Sequence, residues 1–187
     1  MVETLSNMLP LGTIAPAFQL LDTRTDKPVS LQEIKSTVGT VIMFICNHCP
    51  YVKHIQKKLV EVASAYQKKG IAFIAINSND IKKYPADSPQ NMRKEAEMQH
   101  YTFPYLYDET QAVAKAYHAA CTPDFYLFDG AMTCIYRGRF DDATPGNGQP
   151  VTGKELMQAL DAVLANKPIA EDQKPSMGCN IKWIENS

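Results

Sequence analysis

An α/β fold with a mixed central sheet is what this sequence predicts, and three features carry the prediction. Two mostly apolar runs, Thr40 to Ile45 and Ile71 to Ile76, read as strands buried on both faces. Segments of helical period alternate with such strands, which implies parallel pairing through right-handed crossovers. Near the end of the pattern, Phe125 to Phe128 and Thr133 to Tyr136 flank Asp129-Gly130 and read as a hairpin, which adds an antiparallel edge.

The elements follow in order. Residues 15–31 form an extended N-terminal lead-in: Phe18 to Leu21, a polar turn at Asp22 to Lys27, then Val29 to Leu31. After the first buried strand, Pro50 fits the first turn of a helix. Val52, Ile55, Leu59, Val62, Ala63 and Tyr66 then recur at helical spacing until Gly70 supplies a stop. A polar loop from Asn77 to Asp87 leads to Ser88-Pro89, a cap followed by proline, and a helix to about His100. Phe103 to Tyr107 is a short extended piece. Asp108 with Gln111, and Thr152 with Glu155, have capping-box spacing, opening one helix through Tyr117 and a final one to about Ala165. The segment from Asp141 to Pro150 is a loop, and Pro168 to Ser187 shows no clear period. The expected organisation is one domain over 1–187, with a core at about 15–165 and a tail at 166–187.

Composition excludes several classes. Apolar residues make up 45% of the 187 residues and charged ones 21%, with a net charge of -1, so neither a nucleic-acid footprint nor a membrane-seeking surface is expected. No apolar run reaches the roughly 18 residues that span a bilayer. The first residues lack the basic start and apolar stretch of a secretory signal. A cytoplasmic location, where thiols are kept reduced, is the expectation.

Five cysteines are present, an odd number in a chain too long to need disulfide staples. Cys46 and Cys49 stand apart because two residues separate them at a strand-to-helix junction. Unpaired N–H groups at a helix start stabilise negative charge, so Cys46 is expected to be an acidic thiol. Cys49, one turn on, could resolve a mixed disulfide formed at Cys46. His48, as a cation, would favour the thiolate and make the disulfide more oxidising. The same spacing is also half of a zinc knuckle, but Cys121, Cys134 and Cys179 stand alone and supply no second half. No metal and no prosthetic group is therefore expected.

The run Phe44-Ile45-Cys46-Asn47-His48-Cys49-Pro50-Tyr51-Val52, with Ala15-Pro16-Ala17-Phe18 as a Pro-x-Phe opening, resembles thioredoxin-like proteins of the redoxin and AhpC/TSA group. The resemblance extends from about Ala15 to Ala165. It implies a thioredoxin fold, a central mixed sheet flanked by helices with the redox pair at the end of a central strand. It also implies that Thr122-Pro123 is a cis-proline loop that lies against the pair and offers backbone to a bound peptide; by itself Pro123 reads as a helix stop. The implied activity is thiol–disulfide oxidoreduction. Its substrate would be a protein or small-molecule disulfide, and a thioredoxin or glutathione system would supply reductant.

Two departures bear on activity. Ile45 stands where thioredoxins have Trp, and Asn47-His48 replaces Gly-Pro, which argues against the role of a general reductant. Peroxiredoxins have Pro and Thr seven and three residues before the peroxide-reacting cysteine. Here those places hold Gly39 and Met43 before Cys46, or Ile42 and Cys46 before Cys49, which argues against efficient peroxide reduction. A thiol peroxidase and a non-catalytic binding module remain the alternatives.

Further candidates are weaker. Cys179, in a Gly-Cys-x-Ile-Lys-Trp ending also seen in similar proteins, is either a third redox cysteine on a tail that folds back or a bystander in a tail packed by Ile181 and Trp183. Cys121, next to Thr122-Pro123, is either near the site or a small buried hydrophobe. Cys134 reads as core. Asn79 and Asp80 could relay protons at a strand end or simply form a turn. Arg137, Arg139, Asp141 and Asp142 read as an ion-paired edge or a docking rim, and His54 is expected to face solvent.

Overall fold

The computed structural model describes residues 3–185 of the chain. Strand β1 (Glu3–Leu5) precedes a hairpin of β2 (Gln19–Asp22) and β3 (Lys27–Ser30). The short α1 (Leu31–Ile34) leads into β4 (Gly39–Phe44), α2 (Pro50–Gln67) and β5 (Ile71–Asn77). A 3-10 turn at Pro85–Asp87 precedes α3 (Pro89–Met98), β6 (Tyr105–Tyr107) and α4 (Ala112–Ala116). The chain then forms β7 (Cys121–Thr122), β8 (Asp124–Asp129), β9 (Cys134–Gly138), α5 (Lys154–Leu164) and β10 (Met177–Asn180).

Among the described residues the strands form a seven-stranded sheet, in the order β3-β2-β6-β5-β4-β8-β9, and a three-stranded sheet, β1-β10-β7. β4, β5 and β6 run parallel, while β2, β3, β8 and β9 pair antiparallel, so the sheet is mixed as predicted. All six residues of β4 are buried. Its alternation sends Val41 and Met43 to the core under α2 and α5, and Ile42 and Phe44 to the core with Leu31 of α1 and Val113 and Ala114 of α4. Burial of each such side chain stabilises the fold by roughly 1.5–3 kcal/mol. The six helix-spaced residues expected on α2 are all buried. The second core centres on Tyr117, whose ring meets those of Phe18, Phe44, Tyr126 and Phe128 at 5.9 to 6.4 Å.

Two expected capping boxes do not form. Asp108 accepts from the N–H groups of Val113 and Ala114, and Gln111 takes a left-handed conformation (φ 62°) at the N-cap, so α4 starts later than expected. Glu155 pairs with Arg139 at 2.7 Å instead of capping α5. Gly153 (φ 69°) is the N-cap there, and Asp141 accepts from the N–H groups of Thr152 and Gly153, both at 2.6 Å. In each case a partner remote in sequence displaces the local one. Of the expected charge cluster, Arg139 is ion-paired and Asp141 is buried.

The tail is tied into the rest of the molecule. β10 lies antiparallel between β1 and β7, an arrangement with no periodic signal in its sequence. Ile181 is buried as expected, but Trp183 is 38% exposed and does not pack the tail down. Backbone hydrogen bonds do that work: the Ile181 N–H donates to the Ala120 carbonyl (3.0 Å) and the Lys182 N–H to Asn79 Oδ1 (2.8 Å). No helix among the described residues is long and apolar enough to cross a membrane.

Candidate functional site at the Cys46–Cys49 loop

The loop between β4 and α2 is held by hydrogen bonds from the far side of β5. The Asn47 N–H donates to Asp87 Oδ1 (2.7 Å), Asn47 Nδ2 to the Ala86 carbonyl (2.8 Å), and the Tyr105 hydroxyl to Asn47 Oδ1 (2.9 Å). Helix α2 therefore starts late, with Cys49 as N-cap and Pro50 in its first turn. This corrects an expectation: the helix start falls on Cys49, and Cys46 lies before it.

The two sulfurs nonetheless converge. Cys46 Sγ is 3.4 Å from Thr122 Oγ1, and Cys49 Sγ is 3.2 Å from the Thr122 carbonyl oxygen. The Thr122–Pro123 peptide is cis. Both cysteines are reduced. A third cysteine joins them, because Cys179 on β10 stands in register with Thr122, whose carbonyl Cys49 Sγ meets.

Charge is shared unequally among the three. The Cys46 thiol is held well above its ordinary pKa, first by its hydrogen bond to Cys49, then by burial and by the Asp87 carboxylate. Cys179 is likewise pushed up, by its hydrogen bond to Cys49 and by burial. Cys49 is pushed down, because Cys179 and Cys46 both donate to it and the Val52 N–H of the first turn of α2 adds to them. The Thr122 carbonyl suits the protonated Cys49 and opposes ionisation, but the donors outnumber it. The shifts therefore run downward for Cys49 and upward for Cys46 and Cys179.

His48 is paired with a carboxylate to which the sequence did not point. Its Nδ1 lies 2.6 Å from Asp87 Oδ2, and its ring stacks on Tyr84 (centroids 5.3 Å apart, planes at 10°). The charge that reaches Cys46 is the carboxylate of Asp87, which disfavours the thiolate. Burial would push the Asp87 carboxyl up, but hydrogen bonds from His48, Asn79 and the Asn47 N–H overcome it, so Asp87 sits below the ordinary carboxylate value. His48 Nε2 is buried and has no hydrogen-bond partner among the described residues. Cys46 Sγ, a His48 ring nitrogen and an Asp87 oxygen lie within 4.8 Å of one another, so these are the side chains that could face a cation. Both Asp87 oxygens are already taken, Oδ1 by Asn47 and Oδ2 by His48 and Asn79.

Asp87→Asn is expected to lower the Cys46 thiol pKa and to destabilise the fold by about 1–3 kcal/mol. The variant removes the nearby negative charge and leaves one of three buried donors without its acceptor. Thiolate absorbance against pH and a denaturant midpoint measure the two effects; an unchanged Cys46 titration would refute the first.

The remaining predicted residues divide. Thr122 does not offer free backbone to a visitor, since it pairs with Cys179 of β10. Pro123 borders a cleft of about 330 Å³ whose walls include Tyr51, Ile55, Phe140 and Met177. Cys121 is buried in β7 with its sulfur turned to the Pro123 carbonyl (3.8 Å). Cys134 is core and His54 is exposed, as expected. Asn79 proves to be a tie, donating to Asp87 and accepting from Lys182. Sequence reading missed Asp87, Tyr84 and Tyr105. Asp87 stands just before the Ser88-Pro89 helix start, where a polar residue reads as a turn, and its distance from Cys46 in the chain hides the contact. Neither cysteine lies open: Cys46 is 2% exposed and Cys49 fully buried.

The site and the sheet define a redox-type member of the thioredoxin fold. The AhpC/TSA family model matches residues 11–137, and the chain belongs to that family. An uncharacterized conserved protein from Geobacillus kaustophilus is 57% identical over 100% of this chain and 99% of its own, with a TM-score of 0.98. A hypothetical protein from Sinorhizobium meliloti is 45% identical over 98% of this chain and 100% of its own, at TM-score 0.95. The thioredoxin domain of a thiol-disulfide oxidoreductase from Bacteroides vulgatus shares the fold at 16% identity, covering 82% of this chain and 99% of that one (TM-score 0.64). No curated protein matches the chain.

Proposed function

We propose that this chain is a thiol–disulfide oxidoreductase whose redox couple is Cys46–Cys49. The observation that carries the reading is the convergence of the two sulfurs on Thr122. The reduced centre holds one proton on Cys46 and negative charge on Cys49. Cys46, the sulfur beside His48, attacks one sulfur of a substrate disulfide while its proton passes to Cys49. The substrate's other sulfur leaves as a thiolate. Cys49 then attacks Cys46 Sγ, closes the Cys46–Cys49 disulfide and gives its proton to the departing second thiol. Two electrons have passed to the substrate, and an external dithiol of the thioredoxin or glutathione kind restores the centre.

His48 and Asp87 control the approach. The His48 side chain is 20% exposed and Asp87 is fully buried, so of the two polar groups beside Cys46 it is His48 that an incoming substrate meets. Pro123 and the adjoining cleft supply the apolar wall for the substrate.

Reduction of a reporter protein disulfide, with a dithiol as electron source, tests the reading. Cys46→Ser and Cys49→Ser are each expected to fall to the rate of the dithiol alone, whereas Cys134→Ser, remote from the centre, retains activity. Wild-type rate in Cys46→Ser would end the proposal. Fast consumption of hydroperoxide through one cysteine, with no Cys46–Cys49 disulfide formed, would favour the peroxidase alternative.

A further inference from the structure

Strand β10 carries Cys179 to a defined place. Cys179 stands opposite Thr122 and Glu3 in register, in the middle of the small sheet. Gly178, beside it, passes so close to the cis-proline loop that a Cβ there would lie 1.9 Å from the Thr122 carbonyl oxygen and 3.1 Å from Pro123 Cδ. Hydrogen bonds fix the strand on both sides. Before it, the Ser176 hydroxyl donates to the Pro123 carbonyl (2.5 Å) and the Ser176 N–H to Ser6 Oγ (2.9 Å). After it, the Lys182 N–H reaches Asn79, which also holds Asp87.

The result is that three cysteines meet at Thr122: its hydroxyl lies 3.4 Å from Cys46 Sγ, its carbonyl oxygen 3.2 Å from Cys49 Sγ, and Cys179 stands opposite it in register. The other two cysteines of the chain do not share this arrangement. Cys121 and Cys134 turn their sulfurs to backbone carbonyls at 3.8 and 3.7 Å, the ordinary condition of buried thiols. The edge of β7 that leads to the redox pair is filled by the chain's own tail, and the tail residue set against Cys49 is another cysteine.

We propose that Cys179 is the internal exchange partner of Cys49, held there by β10, so that a disulfide formed at Cys46–Cys49 passes to Cys49–Cys179. The inference rests on the reading of Cys46–Cys49 as a redox couple and extends it. In the exchange, Cys179 loses its proton and attacks Cys49 Sγ. The Cys46–Cys49 bond breaks, the Cys49–Cys179 bond forms, and Cys46 leaves as a thiolate that takes up one proton. Nothing is oxidised or reduced overall, so the step needs no reagent beyond the substrate disulfide that first oxidised the pair. The tail is already ordered, so the attack carries little further entropic cost. The exchange moves the disulfide away from His48 and returns Cys46 as a thiol beside it.

Disulfide mapping of the full chain tests this. The protein is equilibrated in dithiothreitol buffers of graded oxidation, quenched in acid, alkylated in denaturant and digested without reduction. The expected result is a Cys49–Cys179 linkage beside Cys46–Cys49 in the wild type, and Cys49–Cys179 as the only linkage in Cys46→Ser. The wild-type map needs no substitution, so a variant that fails to fold does not blunt the test. If Cys46–Cys49 forms and Cys179 is recovered fully alkylated at every ratio, the relay is overturned and the redox couple stands. If Cys46–Cys49 never forms, the couple itself is overturned, and the relay with it.

Discussion

Gly178→Ala should destabilise the protein by about 2–3 kcal/mol and lift β10 from the cis-proline loop. The added Cβ would fall 1.9 Å from the Thr122 carbonyl oxygen and 2.6 Å from its carbon, and backbone atoms in a paired strand cannot rotate away as a flexible side chain can. The strain is relieved by moving the tail outward, which uncovers Cys49 and Cys179. Two measurements follow: a denaturant midpoint, which falls, and pulsed alkylation under native conditions, in which these two thiols react faster than in the wild type. An unchanged midpoint with both thiols still protected would show that the tail does not press on the loop.

Asp124→Asn is expected to abolish a fall in stability between about pH 4 and pH 8. Asp124 is completely buried at the start of β8, where its carboxyl accepts from the Tyr126 hydroxyl (2.8 Å) and the Phe125 N–H (3.1 Å). Burial outweighs these bonds and pushes its pKa up to about 8. The sign follows from proton counts. Between the ordinary carboxylate value and about 8 the folded chain keeps a proton that the unfolded chain has lost, so the unfolded state binds fewer protons and stability falls as pH rises. The slope approaches about 1.4 kcal/mol per pH unit when the difference is one whole proton. Asparagine carries no such proton. The variant's midpoint should be flat relative to the wild type across this window and higher than the wild type near pH 8. Parallel pH curves for the two proteins would show that Asp124 is ionised throughout.

The same contrast, between what neighbours in sequence can establish and what neighbours in space impose, runs through the site. Cys46 and Cys49 were legible because their spacing and the adjoining strand and helix are local patterns. Thr122-Pro123 was legible only through resemblance. The ionisation order was not legible. It depends on thiol–thiol contacts and on Asp87, a long way down the chain, which holds the Asn47 N–H and sets its charge against the Cys46 thiolate. The partner of His48 was hidden for the same reason, since a carboxylate invisible to local reading takes its Nδ1. The capping pairs failed likewise: Glu155 met Arg139, and Asp141 reached the amides instead.

By itself the sequence determined the mixed α/β architecture, the faces that α2 and β4 bury, and the pair of thiols at their junction. Hydrophobic period and turn chemistry are properties of short windows, and burial of the resulting faces leaves few other arrangements. Only the tertiary structure decided which thiol holds charge, what shields the pair, and that Cys179 stands beside it. Those outcomes depend on burial and on hydrogen bonds between segments far apart in the chain, and a tail without periodicity reveals its place only when the strands on either side of it are in position.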